Sequence, residues 1–163
     1  MTKLFSGLIL LTLAGILLIG CGGGGSSNVS DTGKGNETIS VPINIQDAPN
    51  LGSLQVELLY DSNLLTATSV KADTMASNAM IESNLVSKGR VIIGVVDAAG
   101  INGQGALVNV TFKVNGTSGS CPITLQKITA HEAANLTDIQ FKTTDGSVTL
   151  KNEVVAPVIS FIR

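Results

Sequence analysis

From residue 38 onward the chain repeats one device, an alternation of apolar and polar residues with a period of two. In "TISVPINIQ", Ile39, Val41, Ile43 and Ile45 fall on one face and Ser40, Pro42, Asn44 and Gln46 on the other. That pattern buries one side of a β-strand and leaves the other to water. "LGSLQVELLY" does the same, with Leu54, Val56, Leu58 and Tyr60 inward against Gln55 and Glu57. "LLTATSVKA", "RVIIGVVDA", "GALVNVTFKVNG", "CPITLQKITA", "DIQFKTT" and "SVTL" supply further strands. The nearly unbroken apolar run of "RVIIGVVDA" places it centrally in a sheet. Pro42 cannot donate to a ladder and argues for an edge or a bulge. Asp145 and Gly146 read as a tight hairpin turn, and residues 73–89 fit a helical turn or a short edge strand equally well. Short strands at this spacing predict an all-β sandwich or jelly roll.

The chain has 163 residues, enough for one domain with a real core. Tryptophan is absent and tyrosine occurs once, while Cβ-branched and small polar residues dominate, which suits strands and their turns. A formal net charge of -2 and a charged fraction of 13 % provide no basic field for nucleic acid or an anionic membrane surface.

The first 20 residues have a different character. Lys3 precedes the apolar stretch "LFSGLILLTLAGILLIG", the pattern of a secretion signal and slightly short for a spanning helix. Leu18, Ile19 and Gly20 before Cys21 resemble the lipobox of bacterial lipoproteins. That resemblance implies cleavage after Gly20 and a diacylglyceryl group on the Cys21 thiol. Stable anchoring then needs two or three acyl chains, at about 0.8 kcal/mol per buried CH₂. Gly22 rather than an aspartate follows Cys21, which in outer-membrane bacteria resembles the default signal for export to the outer membrane. The expected location is therefore a bacterial membrane-anchored lipoprotein of the outer membrane, cell surface or periplasm. Residues 21–37 add a Gly/Ser-rich linker, a flexible coil that holds a domain about 20 Å from a membrane. Its glycine run follows no mature strand and lacks the Lys-Ser/Thr pair of a phosphate-binding loop.

The order of the strands, with "LYDSNLL", "GRVIIGVVDA", "GQGALVNVTFKV" and "DGSVTL" at its landmarks, resembles the cohesin domain of cellulosome scaffolds over residues 38–150. The resemblance implies a jelly-roll β-sandwich of about nine strands. Tyr60 and Asp61 would close a turn while Leu64 or Leu65 plugs the core. It also implies a protein partner of the dockerin type, docked on one sheet face and nearby loops, with a link to polysaccharide breakdown. No cofactor is expected of the chain itself; calcium would arrive with the dockerin.

Little else carries chemistry. His131 is the only histidine, so a triad or a histidine-rich metal site would rest on it alone, and a surface histidine is the better reading. No catalytic residue and no metal site are assigned. Asn84, Asp97 and Asn102 border "VIIGVV" and are the candidates for hydrogen bonds to a partner, although turns favour Asp and Asn for backbone reasons. Direct glycan binding, the competing reading, would stack sugars on aromatics, but Tyr60, Phe112 and Phe141 sit at core-phase positions or strand ends. A purely structural or adhesive sandwich is the third. Cys121 has no partner in the chain once Cys21 is acylated and reads as a small half-buried residue. Residues 151–163 form an apolar tail that packs along the sandwich or marks a contact to another protein.

Overall fold

The computed structural model describes residues 37–85, 87–150 and 153–162. The expected leader, its cleavage point at Gly20, the lipid site Cys21 and most of the linker lie outside them. Among the described residues the strands are β1 (Thr38–Leu59), β2 (Leu65–Ala72), β3 (Met80–Asn84), β4 (Arg90–Val114) and β5 (Ser120–Glu132). They continue as β6 (Phe141–Thr144), β7 (Gly146–Thr149), β8 (Glu153–Val155) and β9 (Val158–Phe161), and one 3-10 turn occupies Thr74–Ala76. The nine strands make the expected all-β sandwich.

Two long strands build both layers. Residues 38–45 of β1 pair antiparallel with residues 105–113 of β4, and residues 51–59 of β1 pair with residues 90–101 of β4. Between these halves the register shifts repeatedly, and left-handed backbone lets both strands bend together. In β4 the bend uses Gly100 and Gly103 at φ +80 and +99, and in β1 it uses Asp47 and Asn50 at φ 55 and 57. At Gly100 the positive φ favours glycine, and a Cβ there would also displace the Asn50 side chain.

The first layer runs β2, the second half of β4, the first half of β1, β9 and β6. The second runs β3, the first half of β4, the second half of β1, β5, β7 and β8. "RVIIGVVDA" is thus central, flanked by β3 and β1. The inward phase of each strand forms one core, in which Val41, Ile43, Val110 and Phe112 of the first layer and Leu58, Val91, Ile93 and Ile123 of the second are fully buried. Asn44 donates its N–H to the Pro157 carbonyl. Pro42, two residues earlier, aims its nitrogen the same way, short of the Asn44–Gln46 pairing with β9, so the missing donor leaves no bond unmade.

"LYDSNLL" forms the turn its sequence implies. Asp61 Oδ1 accepts from the Asn63 N–H, and the Leu64 and Leu65 N–H groups donate to the Asp61 carbonyl. Leu65 is the buried plug. The Tyr60 ring meets Phe112 edge to face at 5.1 Å, and its hydroxyl accepts the Ala67 N–H. Both readings of residues 73–89 are realised in sequence, a 3-10 turn capped by the Asp73 side chain and then β3 at the sheet edge.

Two expectations change. Asp145–Gly146 is a crossover between layers, because β6 pairs with β9 while β7 pairs with β5. Asp145 Oδ1 accepts the Leu125 N–H, and a Cβ on Gly146 would stand 2.3 Å from the Val155 carbonyl oxygen, so the glycine serves close approach. The tail after residue 150 supplies β8 and β9, and Ile159 and Phe161 are core residues, so the sandwich extends past the expected boundary. Its alternation, Val158 and Ser160 against Ile159 and Phe161, is the signal that places it in a sheet.

Candidate binding face

The outer surface of β3, β4, β1 and β5 is an open sheet whose side chains stand in register. Met80, Val96, Ser53 and His131 form one row across it, followed by Glu82, Gly94, Gln55 and Thr129. Asn84, Ile92, Glu57 and Gln126 make the third row. The first row begins apolar, with Met80 67 % and Val96 54 % exposed. In the middle lies a depression of about 360 Å³ lined by Gln55, Glu82, Ser83, Asn84, Ile92 and Gly94.

Gly94 makes that depression. A Cβ built on it meets nothing closer than the Glu82 carbonyl oxygen at 4.0 Å, and its φ lies outside the left-handed region. Neither packing nor torsion requires glycine there, and glycine inside a strand costs about 0.5–1 kcal/mol relative to alanine. A glycine so placed fits a surface that another backbone approaches closely.

The third row ends in a charge network. Glu57 accepts from Arg90 Nε at 2.9 Å and Gln126 Nε2 at 2.9 Å, and from Lys127 Nζ at 3.1 Å. Sequence phase puts Glu57 outward, yet these side chains close over it and leave it 5 % exposed. Burial pushes its carboxyl up, but the hydrogen bonds of Lys127 and Gln126 and the charges of Arg90 and Lys127 outweigh this and hold it below its ordinary value. A carboxylate whose folded value is depressed contributes stability that is present above its unfolded value, about 4.3, and lost as pH falls through the folded one. Urea unfolding midpoints of the wild type should therefore drop between about pH 6 and about pH 3 more steeply than those of Glu57→Gln. Parallel acid limbs would remove Glu57 from the pH dependence.

The fold also gathers a serine, a histidine and an aspartate. Ser53 Oγ lies 3.2 Å from His131 Nδ1, and His131 Nε2 lies 3.2 Å from Asp138 Oδ1. Asp138 is 82 % exposed, so water screens its hold on the imidazole, and Ser53 is paired on both sides within the sheet. The three form a polar string along the edge of the face, and the expected surface histidine is its middle member. Among the described residues no three His, Cys, Asp or Glu side chains cluster as a metal site.

Of the three residues expected to meet a partner, Asn84 stands on the face and lines its depression. Asp97 and Asn102 lie at the bend beside it. Asp97 Oδ1 accepts the Ala99 N–H, and Asn102 Oδ1 accepts the Asn50 N–H at 2.9 Å, tying the bend of β1 to that of β4. Sequence reasoning passed over Gly94, Met80, Val96, Arg90 and Lys127. The one legible signal was a glycine inside the apolar run "RVIIGVV". Among the described residues Phe112 and Phe161 are buried and Tyr60 and Phe141 half-buried. Cys121 is fully buried. Burial pushes its thiol up, the Asp61 N–H that it accepts at 3.2 Å works the other way, and the Asp61 charge adds to the rise.

The family model described as cohesin domain matches residues 27–150. Cellulose-binding protein A of Clostridium cellulovorans is 27 % identical over 126 residues, covering 73 % of this chain; the chain corresponds to only 7 % of that protein's length. A non-cellulosomal cohesin from the archaeon Archaeoglobus fulgidus is similar in structure, with a TM-score of 0.55, 24 % identity and coverage of 80 % and 83 % of the two chains. So is the sixth cohesin of scaffoldin B from Acetivibrio cellulolyticus, solved in complex with a mutant Cel5 dockerin, at a TM-score of 0.58, 16 % identity and coverage of 80 % and 92 %.

Proposed function

The chain belongs to the cohesin domain family, and from that premise we propose that it docks a dockerin-bearing protein on the outer face of β3, β4, β1 and β5. The observation that carries the choice of face is Gly94, a mid-strand glycine that the fold does not need and that keeps the centre of the face low. Exposed Met80 and Val96 beside it supply apolar area, and Asn84 supplies hydrogen-bonding capacity. The partner's calcium belongs to the dockerin. The name of the Clostridium relative, Cellulose-binding protein A, supports a partner engaged in polysaccharide breakdown.

The lipobox-like "LLIGC" supports the second half of the reading: cleavage after Gly20, acylation of Cys21 and a Gly/Ser tether that presents the sandwich away from a bacterial membrane. Docking would then gather the partner at the cell envelope.

The full chain in detergent is titrated with each dockerin encoded by its own organism, with calcium and with chelator. One of them should bind with calcium and dissociate on chelation; if none binds, the docking reading fails. Mass spectrometry of the amino terminus should find acylated Cys21, and an intact Met1 would overturn the anchor.

A further inference from the structure

The network around Glu57 does more than satisfy a buried carboxylate. One carboxylate is shared by two cations, so this corner of the face keeps a formal charge of about +1 beneath a thin covering of side chain. Arg90 spends its Nε on Glu57, and the outer part of its guanidinium remains a donor fork on a side chain 45 % exposed. Lys127 is 66 % exposed and has two further ammonium protons to give. Its backbone is also unusual. Lys127 sits at φ +48, where β5 slips register against β1 between Gln55 and Glu57. A lysine in left-handed backbone is strained. The slip places two residues of β5, Lys127 and Ile128, opposite Val56 alone, and so lets Lys127 join Gln126 at Glu57 on the outer side.

We propose that Arg90 and Lys127, pinned side by side by Glu57, form a receptor for a carboxylate side chain of the docked partner. This rests on the docking reading and specifies the partner's chemistry. Two cations drawn to the two oxygens of one carboxylate suit a second carboxylate, which an Arg fork takes with two hydrogen bonds. Fixing both cations in advance lowers the ordering cost of binding. The opposite end of the face is apolar, at Met80 and Val96. Arg90 and Val96 are six residues apart on β4, about 20 Å at 3.3 Å per residue. The partner therefore presents an aspartate or glutamate at one end of its docking element and an apolar side chain about 20 Å away. A helix of about 13 residues spans that distance. The face thereby selects one direction for its partner.

The dockerin found to bind is titrated against wild type and against E57Q/R90Q/K127Q, which removes the buried carboxylate together with its counter-ions and leaves no charge unpaired. Wild-type affinity should weaken as salt rises from about 50 to about 500 mM, and the triple variant should bind about tenfold more weakly at low salt with little salt response. Lys127→Gln alone keeps the Arg90–Glu57 pair, and should show about a threefold loss and a smaller salt slope even if the triple variant folds poorly. Binding by both variants within about twofold of wild type at both salts overturns the receptor while leaving docking intact. A wild type that binds no dockerin fails the docking reading, and the receptor with it.

Discussion

Gly94→Tyr is expected to weaken docking by about 30- to 1,000-fold while leaving the fold intact. The substitution is compatible with the strand, because the space over Gly94 is open to 4.0 Å and the backbone is ordinary. Tyrosine is also a better strand residue than glycine, so the urea midpoint should hold or rise slightly, in line with the roughly 0.5–1 kcal/mol that a mid-strand glycine costs. The ring would fill the depression between Gln55, Asn84 and Ile92 and stand proud of the rows on either side. A partner could then no longer reach Met80 and Val96 at one end and Arg90 and Lys127 at the other. Loss of a central contact of this kind costs about 2–4 kcal/mol, or about 30- to 1,000-fold in affinity. Calorimetric titration with the dockerin reads it directly. A variant that binds as tightly as wild type would move docking to another surface.

The largest stability effect is expected at Phe112. Its side chain is fully buried, it packs edge to face on Tyr60, and it pairs with Ile39 on one side and Ala67 on the other. Truncating a buried phenylalanine to alanine costs about 3–5 kcal/mol, partly in transfer free energy and partly in the cavity left behind. A domain of ordinary stability has about 5–15 kcal/mol in all, so Phe112→Ala should unfold at much lower urea, or fail to accumulate folded at 37 °C. Phe112→Leu keeps most of the volume and should lose much less. The Tyr60 hydroxyl would lose its fixed position over Ala67 in the alanine variant, so near-ultraviolet dichroism should fall with it. Equal midpoints for wild type and Phe112→Ala would show that the edge of the core collapses without cost.

Local alternation made most strands legible. "ISVPINI" and "LQVELL" each declare an inner and an outer face, and the structure keeps both phases. "LYDSNLL" was legible for a different reason, since an Asp side chain that caps its own turn acts within two residues. Asp145–Gly146 misled because its residue types permit a hairpin, whereas the outcome depended on which sheet could pair with each flanking strand. The tail packs along the sandwich, one of the two outcomes expected of it, but its individual strands were not legible because they are four residues or fewer, and strands that short are fixed by the partners that receive them. At the candidate site, Asn84 was within reach of sequence reasoning as a polar residue flanking a central strand. Arg90 and Lys127 were not, because they reach Glu57 from two different strands and nothing in the local pattern couples them.

By itself, then, the sequence determined that this chain makes β-strands and which side of each faces the core, because both follow from periods confined to a few neighbouring residues. Only the tertiary structure decided which strands lie beside one another, how β1 and β4 serve both layers, and which side chains meet at Glu57 and around Gly94. Those are contacts between residues tens of positions apart, chosen by register and bend, and no local period encodes them.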